Sequence, residues 1–366
     1  MINIKIGDCL EVLKTLPKNH FDTVVTSPPY YGLRDYNTGT WVGGDPNCPH
    51  KRLTKISKDT ATGHANMYDH GDVVGDAIYR QKCPICGAER QDSQIGLELT
   101  PQDYVRRLVE VFRGVRDTLK EDGTVWLNLG DTYHNYRADG LNVKQTLHKD
   151  KHDQPEVSPN RANKIQGLKE KDLMGIPWRV AFALQEDGWY LRQDIIWHKP
   201  NPMPESVKDR CTKAHEYIFL LSKNSHYYFD HEAIQEEASQ NRWGGKTPIN
   251  VDNSKDKENV FNGLTRERDM MPETKNKRSV WTVNTKPYKE AHFAVFPTDL
   301  IEPCIKAGCP KDGHVLDPFG GSGTTGLVAD RLNRNATIIE LNKDYVEIAE
   351  DRLMGETPLF TKVKVL

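Results

Sequence analysis

The chain has no apolar run near the ~20 residues that a membrane-spanning helix requires, so a spanning segment is not expected. Its first residues, Met1-Ile2-Asn3-Ile4-Lys5-Ile6, lack the apolar core of a secretion signal and lead straight into a strand pattern. Cysteine is sparse. There are seven in 366 residues, an odd number without a paired framework, which argues against a disulfide-built domain. A reducing cytoplasm is the expected location. Charge of one sign is also missing: the formal net charge is −2. No global field announces a nucleic-acid partner, and any such surface must come from local patches. No internal repeat is visible. What is present is 37% hydrophobic residues, enough for a sizeable core in one large domain or two.

The most informative stretch is Thr26-Ser27-Pro28-Pro29-Tyr30, which follows the apolar strand end Thr23-Val24-Val25. Two consecutive prolines fix φ and donate no backbone hydrogen bonds, so they make a stiff corner with outward-facing carbonyls. An aromatic ring stands beside it. Carbonyl acceptors next to a stacking ring suit a flat heterocycle held by an exocyclic amine. A plain proline-rich turn is the alternative on these five residues alone.

A second motif lies near the other end. Val315-Leu316-Asp317-Pro318-Phe319-Gly320-Gly321-Ser322-Gly323-Thr324-Thr325-Gly326 reads as strand, glycine-rich turn and helix start. Such a turn lets a ligand approach the backbone closely and presents free N–H groups to an anionic group. No Lys follows the glycines, which excludes a phosphate-binding P-loop, and the spacing is not a dinucleotide fingerprint. A helix and a further apolar strand, Ala336-Thr337-Ile338-Ile339, lead to Glu340, placed to bind a ribose diol.

Together the two motifs resemble the amino-methylating DNA methyltransferases that use S-adenosylmethionine. The order, catalytic motif first and cofactor motif last, resembles the group called beta. Ile6-Gly7-Asp8-Cys9-Leu10, Trp126-Leu127-Asn128-Leu129-Gly130-Asp131, Ile196-Trp197-His198-Lys199-Pro200 and His292-Phe293-Ala294-Val295-Phe296-Pro297 resemble further family segments, in family order. The resemblance implies an α/β, Rossmann-like methyltransferase fold, with a mostly parallel sheet plus an antiparallel hairpin. It implies that Ser27 and the Pro28 carbonyl contact the amine, that Pro29 fixes the corner, and that Tyr30 stacks on a base extruded from the duplex. Asp317, Phe319, Gly320, Gly321 and Gly323, with Thr324 and Thr325, would hold the methionine part of the cofactor. Phe296 would cover that end, Glu340 would bind the ribose, and Asp8 the adenine side.

Hydrophobic spacing divides the chain further. Leu10, Leu13 and Leu16 share a helical face before Pro17, and Tyr104, Leu108, Val111, Phe112, Val115 and Leu119 continue one from a Thr100-Pro101 start to Lys120. Asp122-Gly123 reads as a turn into a strand from Thr124 to Leu129. A helix is expected near Pro177 to Gln185, then a pair of strands, Tyr190 to Trp197 and Glu216 to Ser222. The expected organisation is a discontinuous catalytic domain of residues 1–36, 100–229 and 285–356. An insertion spans 37–99, a target-recognition region 230–284, and a C-terminal tail 357–366.

The insertion carries Cys48-Pro49-His50 and Cys83-Pro84-Ile85-Cys86-Gly87. Paired thiolate and imidazole ligands at such short spacing suit tetrahedral zinc, with His64 or His70 as substitutes for His50. Four protein ligands leave no open position, so the ion is expected to be structural. Its loss should loosen 37–99 and leave cofactor binding intact.

Within the family, Ser before the two prolines goes mostly with cytosine N4 and Asp or Asn with adenine N6. Cytosine N4 is the expected target and adenine N6 the alternative. Cytosine C5 chemistry needs a cysteine nucleophile; Pro303-Cys304 follows no catalytic strand, and Glu258-Asn259-Val260 sits in a polar segment. RNA, protein-glutamine or small-molecule methylation fits the same corner, but the insertion and the long polar segments favour a large substrate, double-stranded DNA. A DNA-binding protein that keeps the fold without catalysis, and a zinc adaptor, are the readings of other classes. Target reading is expected from Arg242, Trp243, Lys246, Arg266 and Arg268, and from Arg161 and Lys164. A restriction endonuclease partner and a homodimer are compatible with this reading, as is a bacterial, archaeal or phage source.

Overall fold

The computed structural model describes residues 1–32, 36, 38–48, 50, 82–83, 85–134, 167–238, 274–286, 296–356 and 362–366. Among them, thirteen strands and six α-helices are formed. In chain order they are β1 (Ile2–Ile6), α1 (Cys9–Thr15), β2 (Phe21–Thr26), β3 (Thr40–Val42), β4 (Glu89–Gln91), α2 (Pro101–Thr118) and β5 (Leu119–Leu129). Then follow α3 (Ile176–Glu186), β6 (Tyr190–His198), β7 (His215–Ser222), β8 (Glu236–Glu237), β9 (Thr274–Lys275) and β10 (Val280–Thr282). The last are α4 (Thr298–Gly308), β11 (His314–Asp317), α5 (Thr324–Arg331), β12 (Asn335–Glu340), α6 (Lys343–Glu356) and β13 (Val363–Val365).

Nine strands form one sheet in the order β10-β6-β7-β5-β2-β11-β12-β1-β13. Only β7 runs against the others, pairing antiparallel with both β5 and β6. Both faces of the sheet are covered, so the central strand β2 is buried at every residue, the polar Asp22, Thr23 and Thr26 included. Neighbouring side chains still go to opposite faces. Val24, Val125 and Leu127 pack with α1, α2 and α3, while Val25 and Trp126 pack with α4 and α5 on the other side.

Local sequence accounts for most element ends. Asp8 caps α1 by accepting the Leu10 N–H, and Leu16 turns extended ahead of Pro17. Thr100 caps α2 by accepting the Asp103 N–H, with Pro101 in the first turn. That helix stops at Thr118, not at Lys120. Leu119 already pairs with Phe21, and pairing resumes at Thr23 with Thr124. The expected Asp122-Gly123 turn is thus an interruption inside β5. Gly123 folds back over Leu119, whose Cγ would lie 2.5 Å from a β-carbon there.

Two stretches join the sheet where separate regions were expected. Val280–Thr282, inside the span assigned to target recognition, is the edge strand β10 beside β6, with Trp281 buried in the core. Val363–Val365, in the expected tail, pairs with β1 at the opposite edge.

Candidate active site

The carboxyl ends of β2 and β11 lie side by side, because these strands pair in parallel through Val24 and Leu316. In open α/β sheets ligands sit beyond that edge. The two sequence motifs begin there, and one carboxylate ties them together. Asp317 accepts the Thr26 hydroxyl at 2.6 Å, the Thr325 hydroxyl at 2.6 Å and the Phe319 N–H at 3.0 Å. Asp317 is 1% exposed, and burial pushes its carboxyl above its ordinary value against those three bonds. Sequence reasoning placed it against the cofactor. In the structure its bonds brace the glycine-rich loop from behind. The Thr325 hydroxyl also lies 3.3 Å from the Val25 carbonyl, and Thr324 accepts from Arg352, so both threonines secure the start of α5.

At the proline corner Pro28 is buried and Ser27 half-buried. Not every carbonyl faces outward, since that of Pro29 accepts the Tyr104 hydroxyl at 2.9 Å. The Tyr30 ring is held at two points. Its ring edge abuts Gly130, where a β-carbon would come within 2.5 Å of Cε2. Its hydroxyl donates to Glu216 at 2.7 Å and lies 3.2 Å from Asn128 Oδ1. Asn128 donates in turn to the Tyr217 carbonyl at 3.0 Å and toward Glu216 at 3.3 Å. Lys199 pairs with the other Glu216 oxygen, and its ammonium lies 4.0 Å from the centroid of the Trp197 ring. Burial, and then the charge of Glu216, push the Tyr30 phenol well above its ordinary value, so it stays a neutral donor. Glu216, Asn128 and Gly130 were not singled out as site residues from sequence. Asn128 and Gly130 lie in a segment that resembles the family's. Glu216 has no local signature, because it becomes part of the site only when β7 pairs beside β5 and β6.

The glycine loop is built for close approach. Gly321 has φ +51°, and a β-carbon there would meet nothing within 4 Å. Gly320 and Gly323 are tight for a different reason: their β-carbons would press on Ile338 and Ala349, each at 3.0 Å. Glu340 ends the next strand and receives the N–H groups of Gly321 and Asn342, each at 2.8 Å. Burial raises its carboxyl above the ordinary value. Gly7 donates its N–H to the Glu340 carbonyl, which sets Asp8 beside the same sheet edge. The open space at Gly321, next to the half-buried Glu340 carboxylate, fits a nucleoside carrying a charged tail. Phe296 packs at the margin of the core formed with α4.

The donor atoms of Cys48, His50, Cys83 and Cys86 all lie within 4.8 Å of one another. Cys48 and Cys83 sulfurs are 3.7 Å apart, and Cys86 sulfur is 3.5 Å from His50 Nδ1. A disulfide would bring the sulfurs to about 2.05 Å. A tetrahedron with Zn–S of about 2.3 Å and Zn–N of about 2.0–2.1 Å has edges of about 3.8 and 3.6 Å. These two spacings suit a Cys₃His zinc site, and the other donor separations stay within 4.8 Å.

Cys304 is 1% exposed inside α4, bonds the Leu300 carbonyl, and burial raises its thiol far above the ordinary value. It is no nucleophile. His64, His70, Arg161, Lys164, Arg242, Trp243, Lys246, Glu258-Asn259-Val260, Arg266, Arg268 and the segment 292–295 lie outside the described residues.

Comparison with known proteins identifies the family and the fold. The DNA methylase family model N6_N4_Mtase matches residues 21–351. The Type II methyltransferase M.SmaI of Serratia marcescens is 40% identical over 351 residues, covering 96% of this chain and 90% of its own length. M.Cfr9I, the Type II methyltransferase of Citrobacter freundii, is 40% identical over 354 residues, covering 96% and 87%. The solved structure of the cytosine-N4-specific PvuII DNA methyltransferase shares the fold. Its TM-score is 0.53 at 17% identity, over 99% of this chain and 94% of the other. The chain belongs to the N6_N4_Mtase family of DNA methylases, the amino-DNA methyltransferases.

Proposed function

We propose that the protein methylates the N4 amine of cytosine in double-stranded DNA at a specific sequence. The observation that carries this reading is the corner itself: Ser27 and the Pro28 carbonyl stand beside a Tyr30 ring fixed by Gly130 and Glu216. S-adenosyl-L-methionine, when bound, supplies the methyl group. Gly320, Gly321 and Gly323 would line its methionine part with Phe319, Glu340 would take the ribose, and Asp8 the adenine side. Asp317, Thr324 and Thr325 hold that loop in shape.

The exocyclic amine is a poor nucleophile because its lone pair is delocalised into the ring. Ser27 and the Pro28 carbonyl accept its N–H bonds, which favours a more tetrahedral nitrogen, and the fixed corner supplies orientation. The amine lies inside a duplex, so the base must be extruded to reach the corner, and Tyr30 offers it a ring to stack on. Ser27 before the two prolines goes mostly with cytosine in the family this chain resembles, and that supports cytosine over adenine.

The donor spacings support one structural zinc on Cys48, His50, Cys83 and Cys86, in an insertion covering 37–99. Target reading falls to residues 230–278, with Arg161 and Lys164. The 40% identity to Type II methyltransferases over 96% of the chain supports a restriction endonuclease as the functional partner.

The deciding experiment is nucleoside mass spectrometry of DNA incubated with the protein and S-adenosyl-L-methionine. N4-methylcytosine is the expected product. N6-methyladenine would overturn the choice of base, and an unmodified digest would overturn catalysis.

A further inference from the structure

The metal-ligand cluster is the far end of a short structure whose two stems reach both halves of the active site. The pairing between β3 and β4 covers only Thr40 with Gln91, Trp41 with Arg90 and Val42 with Glu89. A ladder this short is marginal by itself in water, and of its six residues none is buried as a whole, although the Arg90 side chain is 2% exposed. Its packing is made by the ligands. The Trp41 ring lies flat on His50, with centroids 4.5 Å apart and planes 16° apart. Gly44 fits against Cys86 and Ala88, where a β-carbon would be 2.8 Å from the Cys86 sulfur. The Cys83 and Gly87 N–H groups close a knuckle onto the Ala88 and Cys83 carbonyls, each at 2.8 Å.

From there the contacts run to the cofactor loop. Arg90 and Asp92 form a pair whose side chains are 2% and 11% exposed. Asp92 also accepts the Thr38 hydroxyl at 2.7 Å and the Gln94 N–H at 3.0 Å. Gln94 accepts the Tyr36 N–H at 2.7 Å. The Tyr36 carbonyl receives the Asn342 amide at 3.0 Å, and the Tyr36 ring meets Tyr345 edge-on. Asn342 is the residue whose backbone N–H holds Glu340. The second stem ends at Gly96. Its carbonyl accepts the Gly32 N–H at 2.8 Å, and a β-carbon on it would stand 3.0 Å from the Tyr30 carbonyl.

We infer that the zinc site sets cofactor affinity: the ion locks the two stems, and the stems hold Asn342–Glu340 on one side and Pro29–Tyr30 on the other. This rests on the zinc assignment and on Glu340 as a cofactor residue. It replaces the sequence-based expectation that cofactor binding is indifferent to the metal. An ion coordinated by four protein groups contributes folding free energy to the segment that holds it. Here that segment is buttressed against the site, so its order is coupled to ligand affinity.

The test is calorimetric titration of S-adenosyl-L-methionine into protein as purified and after zinc removal, with zinc counted by a colorimetric chelator. Affinity should fall roughly tenfold on removal. Asn342→Ser, which keeps an oxygen for the α6 cap but loses the amide to Tyr36, should weaken binding severalfold with zinc content unchanged. That variant decides the matter if the stripped protein does not stay folded. Equal affinity with and without zinc, or full affinity in Asn342→Ser, would overturn the coupling. Protein purified without chelator that holds no zinc would overturn the metal assignment and this inference with it. No binding by the zinc-loaded wild type would instead remove the cofactor reading.

Discussion

Thr26 and Asp317 stand 291 positions apart in the chain and share a 2.6 Å hydrogen bond in the protein interior. Through it the last residue of the strand before the catalytic corner is fastened to the last residue of the strand before the glycine loop. The distance between the two motifs is set by this buried contact together with the parallel pairing of β2 and β11.

Asp317→Ala should destabilise the fold by roughly 3–5 kcal/mol, because it strands two hydroxyls and one N–H in the interior. Thr26→Val should cost about 1–2 kcal/mol. Urea denaturation monitored by tryptophan fluorescence measures both. Wild-type stability in Asp317→Ala would show that the bracing part is wrong.

Glu216→Gln and Tyr30→Ala should lose most methyl transfer and keep S-adenosyl-L-methionine affinity, since both act at the base side. Tyr30→Phe keeps the ring but loses the bonds to Glu216 and Asn128, so it should fall between Tyr30→Ala and wild type. Single-turnover rates alongside calorimetry separate these outcomes. Near-normal turnover in Tyr30→Ala would remove the corner from catalysis.

Gly321→Val should abolish cofactor binding. A β-carbon there meets no protein atom within 4 Å, so the side chain would occupy the space a ligand uses. The φ of +51° adds strain for any β-branched residue. Calorimetry showing intact affinity would mean the loop serves another purpose.

Cys304→Ala should retain methyl transfer. Its thiol is buried and raised, and the proposed chemistry forms no covalent enzyme intermediate. Loss of activity in a variant whose melting temperature is unchanged would reopen cysteine chemistry.

Acid should weaken the fold through His314. Burial, with His20 nearby, lowers its imidazole from 6.5 to about 4. Between those values the unfolded chain binds a proton that the folded protein rejects, so stability falls as pH drops through that window. Melting temperatures from pH 7 to 4 should decline less steeply in His314→Asn than in wild type. Parallel curves would exclude this residue as a contributor.

Local pattern in the sequence was sufficient for much of this protein. The capped starts of α1 and α2 follow from short-range sterics and hydrogen bonding. So do the apolar strands, the proline corner, the glycine turn and the short Cys/His spacings, and each is written within a few neighbouring residues. The end of α2 was misplaced because a pairing with Phe21 draws Leu119 into the sheet. Asp317 reads locally as part of a ligand loop, and only its burial under Thr26 and Thr325 makes it a brace. Glu216 carries no motif; its role exists because β7 pairs between β5 and β6, bringing it to a tyrosine 186 positions away. Val280–Thr282 falls by sequence in the span expected for target recognition, and only the sheet edge, where it pairs with β6, makes it a strand. Residue spacing specifies local conformation and ligand chemistry. Which distant side chains share a carboxylate is decided by strand order and packing, because those contacts form only once the sheet is assembled.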